Sequence, residues 1–257
     1  MRMVTRVIFG ALLCVLIHGS VLNRALAETF VPVDFSSQAN FTWAGVDSVP
    51  GEPSGIRLPG APTGSVTLGG IPFNIKSNAS GYQAWHGDVA ANGGTGLYSI
   101  TMPVDVNAAT DVYTLINTWQ GQNGTNTYAW LIITGSAGAT YTDYLVGGSD
   151  IRDYNNAGWD NSINGTTTVN VFNCPVDNWG LAGRLDMQHV TLPAAFANQT
   201  LTTIQLVDDG GPNFQRVVLD GVTVASVPEP STLLLLVVGA VGLLGYAWRR
   251  RKLAMRA

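Results

Sequence analysis

Chemistry in this chain has to come from aspartates, amides and indoles, because the other reactive residue types are scarce. Between residues 28 and 226 the sequence holds two histidines, His86 and His189, one cysteine, Cys174, and two glutamates, Glu28 and Glu52. The densest run of oxygen donors is Asp150-Ile151-Arg152-Asp153-Tyr154-Asn155-Asn156, continuing to Trp159-Asp160-Asn161, with three carboxylates and three amides within twelve residues. Calcium takes about six to eight oxygens of this kind, so Asp150, Asp153 and Asp160 are candidate calcium ligands. The spacing is not that of an EF-hand, which wants Gly at its sixth position and Glu at its twelfth. The segment also reads as a solvated loop in which Asp and Asn cap their own turns and Arg152 neutralises one aspartate.

Indoles give a second signal. Trp85, Trp119 and Trp159 stand in polar, Gly- and Asn-rich surroundings, and Trp119-Gln120-Gly121-Gln122-Asn123-Gly124 joins an indole to several amides. Sugar rings stack their C–H faces on indoles while amides and carboxylates chelate pairs of hydroxyls. Trp85, Trp119, Gln120, Asn123 and Trp159 are therefore candidate contacts for an extracellular polysaccharide. Each Trp alone also suits packing at a sheet edge, and Trp130, inside the apolar run Tyr128–Thr134, is assigned to the core.

Catalysis finds less support. Glycoside cleavage uses two carboxylates at a set separation. Here any pair would be Asp-based, such as Asp150 with Asp160 or Asp208 with Asp209, and aspartates in turns more often bind backbone donors. The sequence has no Gly-x-Ser-x-Gly elbow to present a serine, and no His/Cys cluster for zinc. His86, in Trp85-His86-Gly87-Asp88, reads as a loop histidine, and Cys174 as a small buried hydrophobe. No catalytic residue is assigned and the expectation is a non-catalytic protein. The alternative is a secreted carbohydrate-active enzyme working through Asp.

The elements that must position these residues are strands. Short apolar or alternating runs recur at Ser65–Leu68, Ile71–Ile75, Leu97–Thr101, Val112–Asn117, Tyr128–Thr134, Thr140–Val146, Thr167–Phe172, Leu201–Val207 and Phe214–Val224. Gly-, Asn- and Asp-rich segments separate them, which is strand-and-turn material and poor helix material. The pattern predicts an all-β domain over residues 28–226, an antiparallel β-sandwich of jelly-roll-like type. Asp220-Gly221 within the last run permits a bulge. Taken in order, pieces such as Ser65–Phe73, Ser99–Val104, Tyr144–Asp153 and Val190–Pro193 resemble the galactose-binding-like β-sandwiches found beside glycoside hydrolases. That resemblance implies the fold, and a glycan ligand by analogy.

Charge divides the 257 residues into three parts. Three of the 13 Lys and Arg lie in residues 1–27 and five in 249–257, leaving residues 28–226 with five cations, sixteen acids and a formal net charge of −11. Such a body disfavours nucleic acid as a partner, since that affinity rests on cations meeting phosphate. The first 27 residues pass from a basic start through the apolar run Val7–Ile17 to Ala25-Leu26-Ala27. They read as a signal peptide cut after Ala27, which makes the Sec machinery and signal peptidase partners.

At the other end, Pro228-Glu229-Pro230 leads into the uncharged stretch Ser231–Trp248 and then Arg249-Arg250-Arg251-Lys252. Eighteen helical residues reach about 27 Å, close to the roughly 30 Å of a hydrocarbon core, so a transmembrane helix is predicted over 231–248 with its basic end cytoplasmic. This tripartite tail resembles the PEP-CTERM sorting signal of Gram-negative bacteria. The resemblance implies that an exosortase cuts near Pro228-Glu229-Pro230, releasing an inner-membrane-anchored intermediate to the cell surface or extracellular matrix. Two prolines hold that segment extended and remove two backbone donors, leaving a strand that a protease can grip. A permanently anchored single-span protein is the other reading of the same tail.

Overall fold

The computed structural model describes residues 28–43, 58–87, 97–121, 126–156, 160–174, 180–209, 215–227, 238–246 and 248–249. Phe30–Ser226 form one compact unit. Among the described residues there are twelve strands: β1 (Thr29–Pro32), β2 (Gly64–Leu68), β3 (Ile71–Ile75), β4 (Trp85–His86), β5 (Tyr98–Asn107), β6 (Ala109–Trp119), β7 (Thr127–Gly135), β8 (Thr140–Val146), β9 (Thr168–Cys174), β10 (Gly183–Thr191), β11 (Thr200–Asp208) and β12 (Arg216–Ser226). Over their described residues the nine runs picked out by alternation each overlap a strand, and the fold is all-β and sandwich-like with antiparallel sheets.

One sheet has the order β1-β12-β6-β10-β9, with β4 also on β12; the other has the order β5-β11-β7-β8. Alternate residues of both sheets face each other and make the main core. Ile100, Met102, Leu131, Ile133, Ile204 and Leu206 come from the second sheet, and Val112, Ile116, Val190, Val217, Val222 and Val224 from the first. The predicted irregularity at Asp220-Gly221 is present, as the β12–β6 register shifts between Leu219 and Gly221.

The two sheets differ in what lies outside them. The β2–β3 hairpin turns through Gly69 and Gly70, whose φ values of 58° and 86° suit the primed turns that match strand twist. It packs Phe73 and Ile75 against Leu115 and Met187 on the outer side of the first sheet. A Cβ on Gly221 would lie 3.0 Å from Phe73 Cδ1, so glycine at that position admits the close approach of β3. Elsewhere on this side Phe41, Trp43, Leu58, Trp119, Tyr154, Leu185 and Val218 form a separate apolar cluster that includes Cys174. The first sheet is thus covered on both faces, and every one of the eleven residues of β12 is buried. No described element covers the outer face of the second sheet.

In the tail, residues 238–246 and 248–249 are helical and exposed. Among the described residues no helix is long and apolar enough to cross a membrane. The rest of the predicted 231–248 span lies outside the described residues, as does the whole predicted signal segment.

Candidate functional site

The Asp-rich segment is built into the first sheet. β6 and β10 pair only from Leu115↔Met187 to Asp111↔Thr191. Beyond that the two strands separate, and residues 152–155 fill the gap, bridging Thr118 through Asp153 on one side and Gly183 through Asn155 on the other. Backbone hydrogen bonds seal both seams: Thr118 N to Arg152 O at 2.9 Å, Tyr154 N to Thr118 O at 2.9 Å and Arg184 N to Tyr154 O at 2.8 Å.

Side chains lock the insert. Arg152 donates from Nε and Nη2 to the two oxygens of Asp186, each at 2.7 Å, and Asn117 Nδ2 donates to Asp186 Oδ2 at 2.9 Å. Arg184 donates to the carbonyls of Asp153 and Asn155 at 2.9 and 2.7 Å, and to Asn161 Oδ1 at 2.6 Å. Burial, with the charge of Arg152 nearby, pushes the Arg184 guanidinium down to about 10. Arg152 does neutralise an aspartate, but one on β10 rather than in its own loop.

The structure sets each candidate calcium ligand against donors of the protein itself. Asp153 is fully buried and accepts from the backbone N–H of Asn155 at 3.0 Å and Gly121 at 3.2 Å. Asp160 Oδ2 accepts from the Tyr128 hydroxyl at 2.5 Å, and Asp150 accepts from Val146 N and Asn164 Nδ2 at 3.2 Å each. The three carboxylates are engaged by separate protein donors, and no group of three His, Cys, Asp or Glu among the described residues could hold a metal ion. Burial raises Asp153 to about 7 against the lowering effect of its backbone donors. Burial and the Asp160 contact push Tyr128 well above the ordinary phenol range.

The indole expectations change too. Trp85 is 6% exposed inside the main core, and Trp119 is 8% exposed in the outer cluster, where its ring lies 5.9 Å from that of His86. Neither indole offers a face to a sugar: Trp85 is packed between the two sheets, and Trp119 lies among Phe41, Trp43 and Leu58 from segments distant in sequence. Gln120 follows with φ 57° at the end of β6. Asn123 and Trp159 lie outside the described residues. So do Ala27, Pro228, Glu229, Pro230, Arg250 and Arg251, while Arg249 is helical and exposed. His86 is fully buried and stacks on Phe41 at 5.3 Å, so it is not a surface base.

Two arrangements escaped the sequence reading. Across β10 and β6, Asp111 Oδ1 contacts His189 Nε2 at 2.7 Å and accepts from Thr191 Oγ1 at 3.1 Å. Thr191 Oγ1 also lies 3.5 Å from His189 Nε2, but that nitrogen faces the Asp111 carboxylate and donates to it, so it does not take the hydroxyl proton and the arrangement does not activate a nucleophile.

The second is the outer face of the β5-β11-β7-β8 sheet. Trp130 alternates with core residues Ala129 and Leu131 and so points outward, against its expected place in the core. Cross-strand register sets Ser99, Val207, Trp130 and Tyr144 in one row. The next row is Thr101, Gln205, Ile132 and Thr142, and the third is Pro103, Thr203, Thr134 and Thr140. The Trp130 and Tyr144 rings lie 6.3 Å apart at 49°, and Tyr144 is 60% exposed. Alternation alone could have placed these residues on a common face, but not shown which of them meet solvent: Tyr144 does, Trp130 is half-buried and Val207 is buried.

Comparison with known proteins adds the tail. No curated protein matches the chain. Two solved structures from infectious bursal disease virus share 10% and 15% identity, covering 80% of this chain and 53% of theirs in each case. They are the VP2 subviral particle and the Gt strain, with TM-scores of 0.29 and 0.28. The chain spans about half the length of those chains, and similarity at this level carries no argument. The PEP-CTERM protein-sorting motif matches residues 226–252, beginning where the compact β unit ends at Ser226. This chain therefore carries a PEP-CTERM sorting motif, which implies export, an anchored intermediate and an exosortase as its processing partner.

Proposed function

We propose that this is an exported, exosortase-processed protein of the cell surface or extracellular matrix, non-catalytic, whose β-sandwich has a structural or glycan-interacting role in the extracellular polysaccharide layer. The observation that carries the reading is the sorting motif over residues 226–252, abutting a compact β unit that closes at Ser226. In sequence, Pro228-Glu229-Pro230 follows the last strand, and a cut there would free the β unit from the apolar stretch that follows.

A non-catalytic role is supported by the way polar clusters are used. Asp150, Asp153 and Asp160 are engaged by donors that hold the loop, and Asp111 takes both the His189 and the Thr191 contacts. The glycan role draws on the resemblance of the strand pattern to galactose-binding-like sandwiches and on the hydroxyl- and aromatic-bearing sheet face.

Intact-mass measurement of protein taken from the native surface tests the processing. The expected species begins at Glu28 and lacks residues 231–257. A mass that retains them overturns processing and favours the permanently anchored form.

A further inference from the structure

We infer that the outward face of the β5-β11-β7-β8 sheet, centred on Trp130 and Tyr144, binds a polysaccharide chain that carries no charge. This deepens the glycan-interacting reading above and rests on it.

The face differs from the rest of the body in charge. Residues 28–226 carry a formal net charge of −11, yet none of the twelve side chains in its three cross-strand rows is ionisable near neutral pH. What it presents is the exposed Tyr144 phenol beside the half-buried Trp130 indole and Ile132, with a field of hydroxyls and amide around Thr142 and Gln205, while Val207, between Ser99 and Trp130, is buried. Among the described residues no element lies over this face. With strands about 4.8 Å apart and about 3.3 Å per residue, the rows cover roughly 14 Å by 13 Å, the footprint of an extended polymer rather than of one buried sugar.

Three occupants compete for such a face. A second copy of this chain would strip water from the Thr hydroxyls and Gln205 without matching each donor and acceptor, and two acidic bodies repel each other. An anionic polysaccharide meets the same repulsion from the surrounding body. An uncharged polysaccharide meets neither obstacle. Its hydroxyls donate and accept like the water they displace, and its C–H faces stack on Trp130 and Tyr144, whose rings are tilted at 49° and can follow a twisted chain.

The test uses the full chain in detergent, with dextran and starch as uncharged probes and alginate and hyaluronan as anionic ones, in affinity electrophoresis. The variants are the double change Trp130→Ala with Tyr144→Ala, and Thr142→Glu, which adds a charge at an exposed position without removing packing. The expected result is retardation by an uncharged probe, with affinity reduced at least tenfold by either variant and a melting temperature unchanged in Thr142→Glu. Binding that survives Thr142→Glu overturns this face as the site while leaving the glycan reading intact. Preference for the anionic probes overturns the charge argument and with it the inference. Absence of binding to all four probes overturns both the inference and the glycan reading.

Discussion

Arg152 holds Asp186 through two parallel hydrogen bonds of 2.7 Å, with the Asp186 side chain fully shielded and that of Arg152 13% exposed. The pair ties the crossover between β8 and β9 into a sheet whose own strands have parted, so an Asp-rich segment with the look of a surface loop becomes part of the interior. The polar residues of β10, among them Arg184 and Asp186, exist to receive it.

Removing one partner of that pair leaves a buried charge uncompensated. Arg152→Ala is expected to destabilise the domain by about 3–5 kcal/mol. At about 2–4 °C per kcal/mol for a domain of this size, the melting temperature falls by roughly 6–20 °C. Chemical denaturation of Arg152→Ala, Asp186→Ala and the double variant checks this, with the double variant expected to lose less than the sum of the singles.

Two buried carboxylates give the domain an unusual pH response. Asp220, which accepts from the Trp43 indole, and Asp153 are both raised by burial from 3.8 to about 7. Each binds its proton more tightly folded than unfolded. Its stabilising contribution is therefore complete below about pH 4 and declines as pH rises to about 7, by up to about 1.4 kcal/mol per pH unit for each group. Asp220→Asn mimics the protonated acid and keeps an acceptor for Trp43. Thermal melts should show the variant matching the parent at pH 4 and exceeding it at pH 8.

Trp119→Ala is expected to act on stability. With 8% of the residue exposed in an apolar cluster, truncation costs about 3–5 kcal/mol, measurable as a fall in denaturation midpoint.

Chelation of divalent metal is expected to leave the melting temperature unchanged, because Asp150, Asp153 and Asp160 already accept hydrogen bonds from the protein. A drop in melting temperature on adding EDTA, reversed by calcium, would contradict this.

Gly147 sits where a Cβ would come within 2.3 Å of the Tyr128 ring and 2.4 Å of Asp160 Oδ2. Gly147→Ala forces the Tyr128–Asp160 hydrogen bond apart and is expected to cost about 1–3 kcal/mol by overpacking. Tyrosine fluorescence and thermal melts of the variant report the change.

Legibility in the sequence followed local pattern. Runs such as Tyr128–Thr134 and Leu201–Val207 alternate cleanly, so they announced themselves as strands. β10 did not, because Arg184, Asp186 and Gln188 interrupt its apolar residues and read as solvent-facing. In the fold they are consumed: Gln188 donates to Asp143 on the opposite sheet at 2.7 Å, and Asp186 takes Arg152.

By itself, the sequence determined the all-β class, the glycine-permitted bulge at Asp220-Gly221 and the sorting motif, since each depends on neighbours in the chain. Only the tertiary structure decided which aromatic residues meet solvent. Alternation separates the two faces of a strand but says nothing of what covers either one. The first sheet is covered on its outer side by segments from elsewhere in the chain, the β2–β3 hairpin on one part and the Phe41–Trp43 and Leu58 segments on another, which bury Trp119. No described element does the same for the second sheet, and so Trp130, which its setting assigned to the core, stands half-buried beside the exposed Tyr144 on its outer face.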